Sequence, residues 1–312
     1  MRKLLTGLQP SGALHIGNYF GALKPFADMY GEYESYLMVA DYHALTTLKN
    51  PEELRKNILD IVRDYVAAGI DPKKLVIFQQ SQVPEHTELT WVLNTLVTMS
   101  FLELAHAYKD KEARGLETNV GLFDYPILMA SDILLYDTDI VPVGQDQRQH
   151  LEYTRDIAGK FNNAYGETFK LPTAQILENV AIVPGTDGKK MSKSYRNTIP
   201  LFGTKAELVK SIMSIVTDSK GDQPENVYEI HKLFRSESDL APLYDANKGG
   251  YKALKDALIA DIEAIVGPMR EKRASISDEE VRRILKEGSE KARETASVKM
   301  KEVREKIGVS LQ

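Results

Sequence analysis

Two short segments of this chain carry groups suited to handling phosphate. The first is Gly7-Leu8-Gln9-Pro10-Ser11-Gly12-Ala13-Leu14-His15-Ile16-Gly17-Asn18. Gly7 and Gly12 permit tight backbone turns close to a ligand. His15 and Asn18 fall near the start of a predicted helix, where free backbone N–H groups and the helix dipole favour an anion. The second is Lys189-Lys190-Met191-Ser192-Lys193-Ser194, just past Gly185 and Gly188. Lysine is a compact, mobile cation suited to phosphate oxygens. The two glycines are expected to let this loop close over a ligand and reopen. Each segment has a plainer reading: a Gly-rich turn with one incidental histidine, and a solvated basic loop. Their joint occurrence on one predicted sheet, in this order, favours the phosphate reading.

A third constellation is Tyr125, Met129 and Asp132, spaced i, i+4 and i+7. On a helix these share one face. The face offers a ring, a soft thioether and a carboxylate. Tyr125 and Met129 also fit an ordinary core. Asp132 fits it less well, because an acid inside Leu128-Met129-Ala130-Ser131-Asp132-Ile133-Leu134-Leu135 is costly to bury without a partner.

The elements that must position these groups alternate in type. Lys3–Thr6, Ser35–Ala40 and Val76–Phe78 read as strands. Gly17–Tyr30, Pro51–Ala68 and Glu88–Thr98 read as helices, with Asn50 as cap and Pro51 at the first helical position of the second. This order implies a parallel sheet with right-handed crossovers. In such a sheet the crossing from first strand to first helix is where ligands bind. Residues from Met99 to Phe161 read as mostly helical, interrupted by a strand near Ile140–Val143. Ala181–Val183 reads as a late strand, followed by the turn-rich Pro184-Gly185-Thr186-Asp187-Gly188. Beyond Ser194 the strand signals stop. Lys205–Val216, Glu225–Phe234, Tyr251–Val266 and Asp278–Lys306 read as helices. In the last, Ala292, Ala296, Met300, Val303 and Ile307 form one apolar stripe, expected to pack on the body of the protein. The expected fold class is therefore α/β: a Rossmann-like parallel sheet over residues 1–195, with a helical insertion at about 99–170, plus an all-helical C-terminal domain over 196–312.

Composition narrows the class further. The 312 residues are 43% hydrophobic and 27% charged, ordinary for a globular chain. There is no cysteine, which excludes disulfides, thiolate zinc sites and cysteine-bound iron–sulfur clusters. No apolar run of membrane-spanning length occurs, and Gly7 and Pro10 interrupt the start before a secretory signal can form. A cytoplasmic location is the expectation. The net charge of −5 argues against a protein coated in polyanion but permits a local basic patch. Residues from Arg270 to the end carry twelve Lys/Arg against nine Asp/Glu. Among the remaining histidines, His43 follows the second strand, where it would either edge a pocket or support it from the core. His86, His106, His150 and His231 form no metal-ligand pattern.

His15-Ile16-Gly17-Asn18 resembles the HIGH signature of the class I aminoacyl-tRNA synthetases, with Asn18 in place of the final histidine. Lys190-Met191-Ser192-Lys193-Ser194 matches their KMSKS signature in full. The Asn18 variant, Thr6–Gly12, Gly121–Tyr136 and Val141–Gln147 resemble the bacterial tryptophanyl-tRNA synthetases, and the likeness covers nearly the whole chain from residue 3. The resemblance implies a ligase that activates L-tryptophan with ATP and loads tRNA(Trp), working as a homodimer with magnesium carried by the nucleotide. His15, Asn18, Lys190 and Lys193 would be catalytic. Gln9, Pro10, Ser11, Gly17, Gly144, Gln145, Asp146, Ile182, Met191, Ser192 and Ser194 would join them around ATP. Gln9, Tyr125, Met129, Asp132 and Gln147 would hold the amino acid, Tyr125 and Gln147 taking its amino group.

The side chains agree with this implication. An ionised carboxylate only accepts hydrogen bonds and an indole N–H only donates, while a thioether packs well on an aromatic system. Ile133, Val141 and Val143 would complete such a slot. Tyrosyl enzymes are the near alternative. They tend to carry a glutamine where Met129 stands, and a thioether is a poor partner for a phenol hydroxyl. Two further classes stay open on sequence: a nucleotidylyltransferase sharing the His-x-Gly signature, and a catalytically silent RNA-binding paralogue. Arg270, Lys272, Arg273, Arg282 and Arg283 are candidate tRNA phosphate contacts.

Overall fold

The computed structural model describes residues 1–104, 119–143, 148–176, 183–217 and 224–311. Five parallel strands form one sheet in the order β3-β2-β1-β4-β5. They are β1 (Lys3–Leu8), β2 (Glu34–Val39), β3 (Val76–Gln79), β4 (Ile140–Val143) and β5 (Thr173–Ile176). Chain order runs outward from β1 to β3, then restarts on its other side at β4. That reversal opens a crevice at the carboxyl ends of β1 and β4.

Successive strand residues point to opposite faces, and here both faces are covered. Leu4, Leu37, Val39, Ile77 and Ile140 join a cluster with the helix Pro51–Ala67 and the later helices. Leu5, Tyr36, Met38, Phe78 and Val141 join another, with the helices Glu85–Asn94, Val120–Leu134 and Arg148–Tyr165. The apolar stripe Ala292, Ala296, Met300 and Val303 of the helix Asp278–Ile307 belongs to that second cluster. This helix also covers the outer edge of β3. Gly288 allows the close approach, since a Cβ there would lie 1.8 Å from the Ile77 carbonyl oxygen. Ser289 Oγ accepts a hydrogen bond from the Gln79 N–H at 3.1 Å, so the edge strand is not left with that donor exposed.

Several expectations need correction. The segment expected as one helix from Gly17 to Tyr30 is helical but changes register: Ile16–Asn18 is α, Tyr19–Leu23 is π, Lys24–Met29 is α and Tyr30–Glu32 is 3₁₀. The wide turn immediately precedes Pro25, which has no N–H to continue the α ladder. The helix expected from Glu88 begins at Glu85, which brings His86 onto it. The strand Thr173–Ile176 supplies the fifth position in the sheet, where no strand was expected. Ala181 and Ile182 lie outside the described residues, and Val183 is not in a strand. A helix at Glu237–Ala246, capped by Ser236, escaped the sequence reading. The helix expected to end at Val266 runs through Pro268 to Ser275. Its last turns are held by Arg270 on Glu263 within the helix and by Arg273 on Asp60 and Asp64 of the helix Pro51–Ala67, and these ion pairs offset the proline. These pairs also occupy two of the candidate tRNA-contact arginines, Arg270 and Arg273.

Candidate active site

The first of the two segments leaves β1 and turns at once. Ser11 N–H donates to the Gln9 carbonyl at 2.8 Å, and Gly12 follows at φ +92°, a conformation that favours glycine. His15 then caps the next helix. Its Nδ1 accepts from the Asn18 N–H at 3.2 Å, while Asn18 Oδ1 accepts from the His15 N–H at 3.1 Å. This reciprocal cap fixes the imidazole tautomer: Nδ1 is the acceptor, so the neutral ring carries its proton on Nε2. Burial, aided by the nearby Lys193 cation, lowers the His15 pKa to about 4. The ring is therefore neutral at physiological pH, with an Nε2–H to donate.

Lys193 of the second segment reaches the same place. Lys193 Nζ donates to the Ser11 carbonyl at 2.9 Å. The side chain is exposed overall, yet its ammonium is tucked against the turn, and loss of water there lowers its pKa. Met191 is buried, and its sulfur accepts from the Gly17 N–H at 3.3 Å. Ile16 N–H donates to the Ile199 carbonyl at 2.9 Å, and Leu201 N–H to the Leu14 carbonyl at 3.0 Å. The segment is thus stapled to the first one on both sides of Lys193. Lys190 is exposed.

The glycines of this loop also have packing roles. Gly185 packs against Asn197, where a Cβ would lie 2.2 Å from the amide nitrogen and 2.7 Å from the backbone oxygen. Asn197 is itself a hub: its Nδ2 donates to Asp187 Oδ1 at 2.6 Å and the Lys190 carbonyl at 3.1 Å, and its Oδ1 accepts from the Ser192 N–H at 2.8 Å. Gly188 sits at φ +80° against Asn226. Both glycines serve close packing and a left-handed turn, and they hold the loop in shape.

Beside the first segment lies a cavity of about 560 Å³, a size suited to a small-molecule ligand. Thr6, Gly7, Leu8 and Gln9 line it from β1 and the turn, and Tyr125, Met129, Asp132 and Ile133 from the helix Val120–Leu134. Val141 and His43 complete it. The expected pocket residues therefore converge. Asp132 is 1% exposed and fully partnered on one oxygen. Its Oδ1 accepts from Gln80 Nε2 at 2.8 Å and pairs with His86 Nδ1 at 2.6 Å, while Oδ2 pairs with His43 Nε2 at 2.8 Å. Burial alone would push its pKa up, but the interactions of His43 and His86 with the carboxylate more than offset this and hold the carboxyl at about 2. Tyr125 OH meets the His150 ring at 3.2 Å, and burial raises its pKa to about 12, so the phenol stays protonated.

His43 both edges the cavity and supports Asp132, joining the two roles weighed from sequence. Gln80 and His86 were missed. The polar run Gln79-Gln80-Ser81-Gln82 directly after β3 was a usable signal for the first. Nothing local marks His86 or Asn197. Gly144, Gln145, Asp146, Gln147 and Ile182, expected around nucleotide and amino group, lie outside the described residues. Among the described residues no cluster of acidic and histidine ligands could hold a metal ion.

A family model described as tRNA synthetases class I (W and Y) matches residues 2–276. A tryptophan–tRNA ligase of Fusobacterium nucleatum is 50% identical over 99% of this chain and 98% of that protein. One from Rhodopirellula baltica is 46% identical over 98% of this chain and 99% of that protein. The crystal structure of a tryptophanyl-tRNA synthetase from Campylobacter jejuni, complexed with ADP and tryptophan, superposes with a TM-score of 0.93 at 47% identity, covering 98% of this chain and 99% of that one.

Proposed function

From the premise that the chain belongs to the class I tRNA synthetases of the tryptophan and tyrosine family, we propose how its residues carry out that chemistry. The reaction is ATP-dependent activation of L-tryptophan followed by transfer to tRNA. The tryptophan carboxylate attacks the α-phosphorus of ATP, the bond to pyrophosphate breaks, and tryptophanyl-adenylate remains. A ribose hydroxyl at the tRNA 3′ end then attacks the acyl carbon and AMP leaves. The carboxylate is already a nucleophile, so the first step needs positioning and charge stabilisation rather than a general base.

The observation that carries the amino-acid assignment is Asp132: ionised, buried and facing an apolar cavity. A carboxylate has about four acceptor positions. Three are taken, which leaves one on Oδ2 for the indole N–H. Met129, Ile133 and Val141 form apolar walls, and Tyr125 and Gln147 take the amino group. His15 Nε2–H, Asn18 and Lys193 meet the phosphates, and Lys190 adds a mobile cation as pyrophosphate departs. Gln9, Pro10, Ser11, Gly17, Met191, Ser192 and Ser194 shape the nucleotide side together with Gly144, Gln145, Asp146 and Ile182. Magnesium arrives with the nucleotide as part of the substrate.

Residues 1–195 form the catalytic domain and 196–312 the helical tRNA-binding domain. Lys272 and Arg282 are the better candidate phosphate contacts, because Arg270 and Arg273 are paired internally. A homodimer is supported by Trp91, Met99 and Val120, which are exposed on helices that pack together. A cytoplasmic site of action agrees with the lack of cysteine.

Amino-acid-dependent ATP–pyrophosphate exchange, run with all twenty amino acids, tests the reading. Exchange with tryptophan alone is expected. Exchange with tyrosine overturns the Met129 and Asp132 assignment, and exchange with none overturns the activity.

A further inference from the structure

Asp132 is gripped from three separate segments of chain, and two of the three grips cannot touch a ligand. Gln80 and His86 are both fully buried, at 0% exposure, and neither lines the cavity. We propose that Gln80 and His86 are positioning residues for tryptophan specificity, clamping Asp132 so that a single acceptor position, on Oδ2, meets the amino acid. This rests on the reading of Asp132 as the partner of the indole N–H.

Each grip has a fixed direction. Gln80 Oε1 accepts the Tyr42 N–H at 3.1 Å. A backbone N–H can only donate, so the amide is oriented with Nε2 toward Asp132 Oδ1. His86 is set the same way from its far side. Tyr136 OH lies 2.8 Å from His86 Nε2, and burial keeps that phenol protonated. By donating to Nε2, the phenol fixes the ring proton on Nδ1, which faces Asp132 at 2.6 Å. Phe78 stacks on the imidazole at 5.9 Å between centroids and holds its plane. Outer partners of this kind orient the group that makes the contact.

The consequence is selectivity. A free aspartate can rotate, present either oxygen, or accept a proton and become a donor. Clamped by donors on Oδ1, it offers one acceptor in one direction. A ring with an N–H at that point is rewarded. A ring without a donor leaves the last acceptor position unpaired, which is costly in a buried site.

Steady-state exchange kinetics on four variants test this. His86→Leu and Gln80→Met each remove a donor while keeping bulk. Both are expected to raise KM for tryptophan roughly 10- to 100-fold, the size of a hydrogen bond to a charged group. KM for ATP and kcat at saturating tryptophan should stay within about twofold. The kcat/KM preference for tryptophan over phenylalanine should fall in parallel. His86→Asn, whose amide nitrogen stands near the position of Nδ1, is expected to recover most of the loss. Unchanged KM for tryptophan in both His86→Leu and Gln80→Met overturns the clamp, as does an equal rise in KM for ATP. If His86→Leu does not fold, Gln80→Met and His86→Asn decide alone. Asp132→Asn separates the two layers of the argument. If it leaves KM for tryptophan unchanged, the underlying reading of Asp132 fails; if it raises KM while the clamp variants do not, only the clamp fails.

Discussion

The sulfur of Met191 accepts a hydrogen bond from the backbone N–H of Gly17 at 3.3 Å, across 174 residues of sequence. Met191 is the apolar member of the lysine segment, and Gly17 is the glycine of the histidine segment. A side chain at position 17 would press on the His15 ring, with Nδ1 at 2.9 Å, and on Met191 Cβ at 3.3 Å. The contact therefore sets the distance between the neutral imidazole and the ammonium groups that follow it. Truncation at this point should separate the two halves of the proposed phosphate site. Met191→Ala is expected to cost about 2–5 kcal/mol of stability, as for a buried methionine, and to raise KM for ATP more than KM for tryptophan. Chemical denaturation and exchange kinetics together check it.

The His15 titration gives a pH signature. Its folded pKa, about 4, lies below the ordinary histidine value. The unfolded chain therefore binds a proton between about 6.5 and 4 that the folded chain does not. Stability from this group is full above that window and is lost as pH falls through it. His15→Asn keeps an acceptor for the Asn18 N–H but does not titrate. Its thermal midpoint should depend less on pH between about 6.5 and 4 than that of the parent chain. Adenylate formation should fall by about 10²–10³, as for loss of one transition-state donor. An unaltered pH slope in the variant counts against the lowered pKa of His15.

Asp132 acts in the same direction as His15, in a more acidic window. Its folded pKa, about 2, is below the ordinary carboxyl value, so its contribution is present above about pH 4 and is lost as pH falls toward 2. Asp132→Ala should remove that dependence and leave the buried donors of Gln80 and His86 without their acceptor. A tryptophan titration followed by intrinsic fluorescence should show binding weakened by about 10- to 100-fold.

Gly185→Ala tests the packed loop. Its Cβ would meet the Asn197 backbone oxygen at 2.7 Å, an atom with little room to yield. We expect kcat for exchange to drop at least about tenfold, with KM for tryptophan little changed. Asn197→Ala, which releases Asp187, Lys190 and Ser192 at once, should fail in the same way. A rise in KM for tryptophan alone would mean that the loop also shapes the amino-acid pocket.

Gly288→Ala tests the covering of the sheet edge. The approach to Ile77 leaves no space for a methyl group, so the helix Asp278–Ile307 must shift off β3. A loss of about 3 kcal/mol is expected, the upper end for overpacking. Hydrogen exchange should report it at the Gln79 N–H, which loses Ser289 as acceptor.

Much of the fold was legible because it depends on local pattern. Apolar strand runs buried on both faces, Asn50 before Pro51, and the helical stripe from Ala292 to Ile307 are short-range signals that the packing obeys. Thr173–Ile176 was not legible: it is four residues long, and its place is set by pairing with β4. The run through Pro268 was not legible either, since Arg273 beyond it is held by Asp64, 209 positions away.

At the site the same division holds. The sequence by itself singled out the candidate side chains: His15, Asn18, Lys190 and Lys193 by residue type and resemblance to the family signatures, and Tyr125, Met129 and Asp132 by helical period. Only the tertiary structure decided their chemical state. The His15 proton is assigned by its cap, and the Asp132 charge is held by His43, Gln80 and His86, which come from 46 to 89 residues away. The loop glycines serve packing because Asn197 lies against Gly185 and Asn226 against Gly188. Protonation, tautomer and rigidity depend on what surrounds a group, and those neighbours are brought together only by the fold.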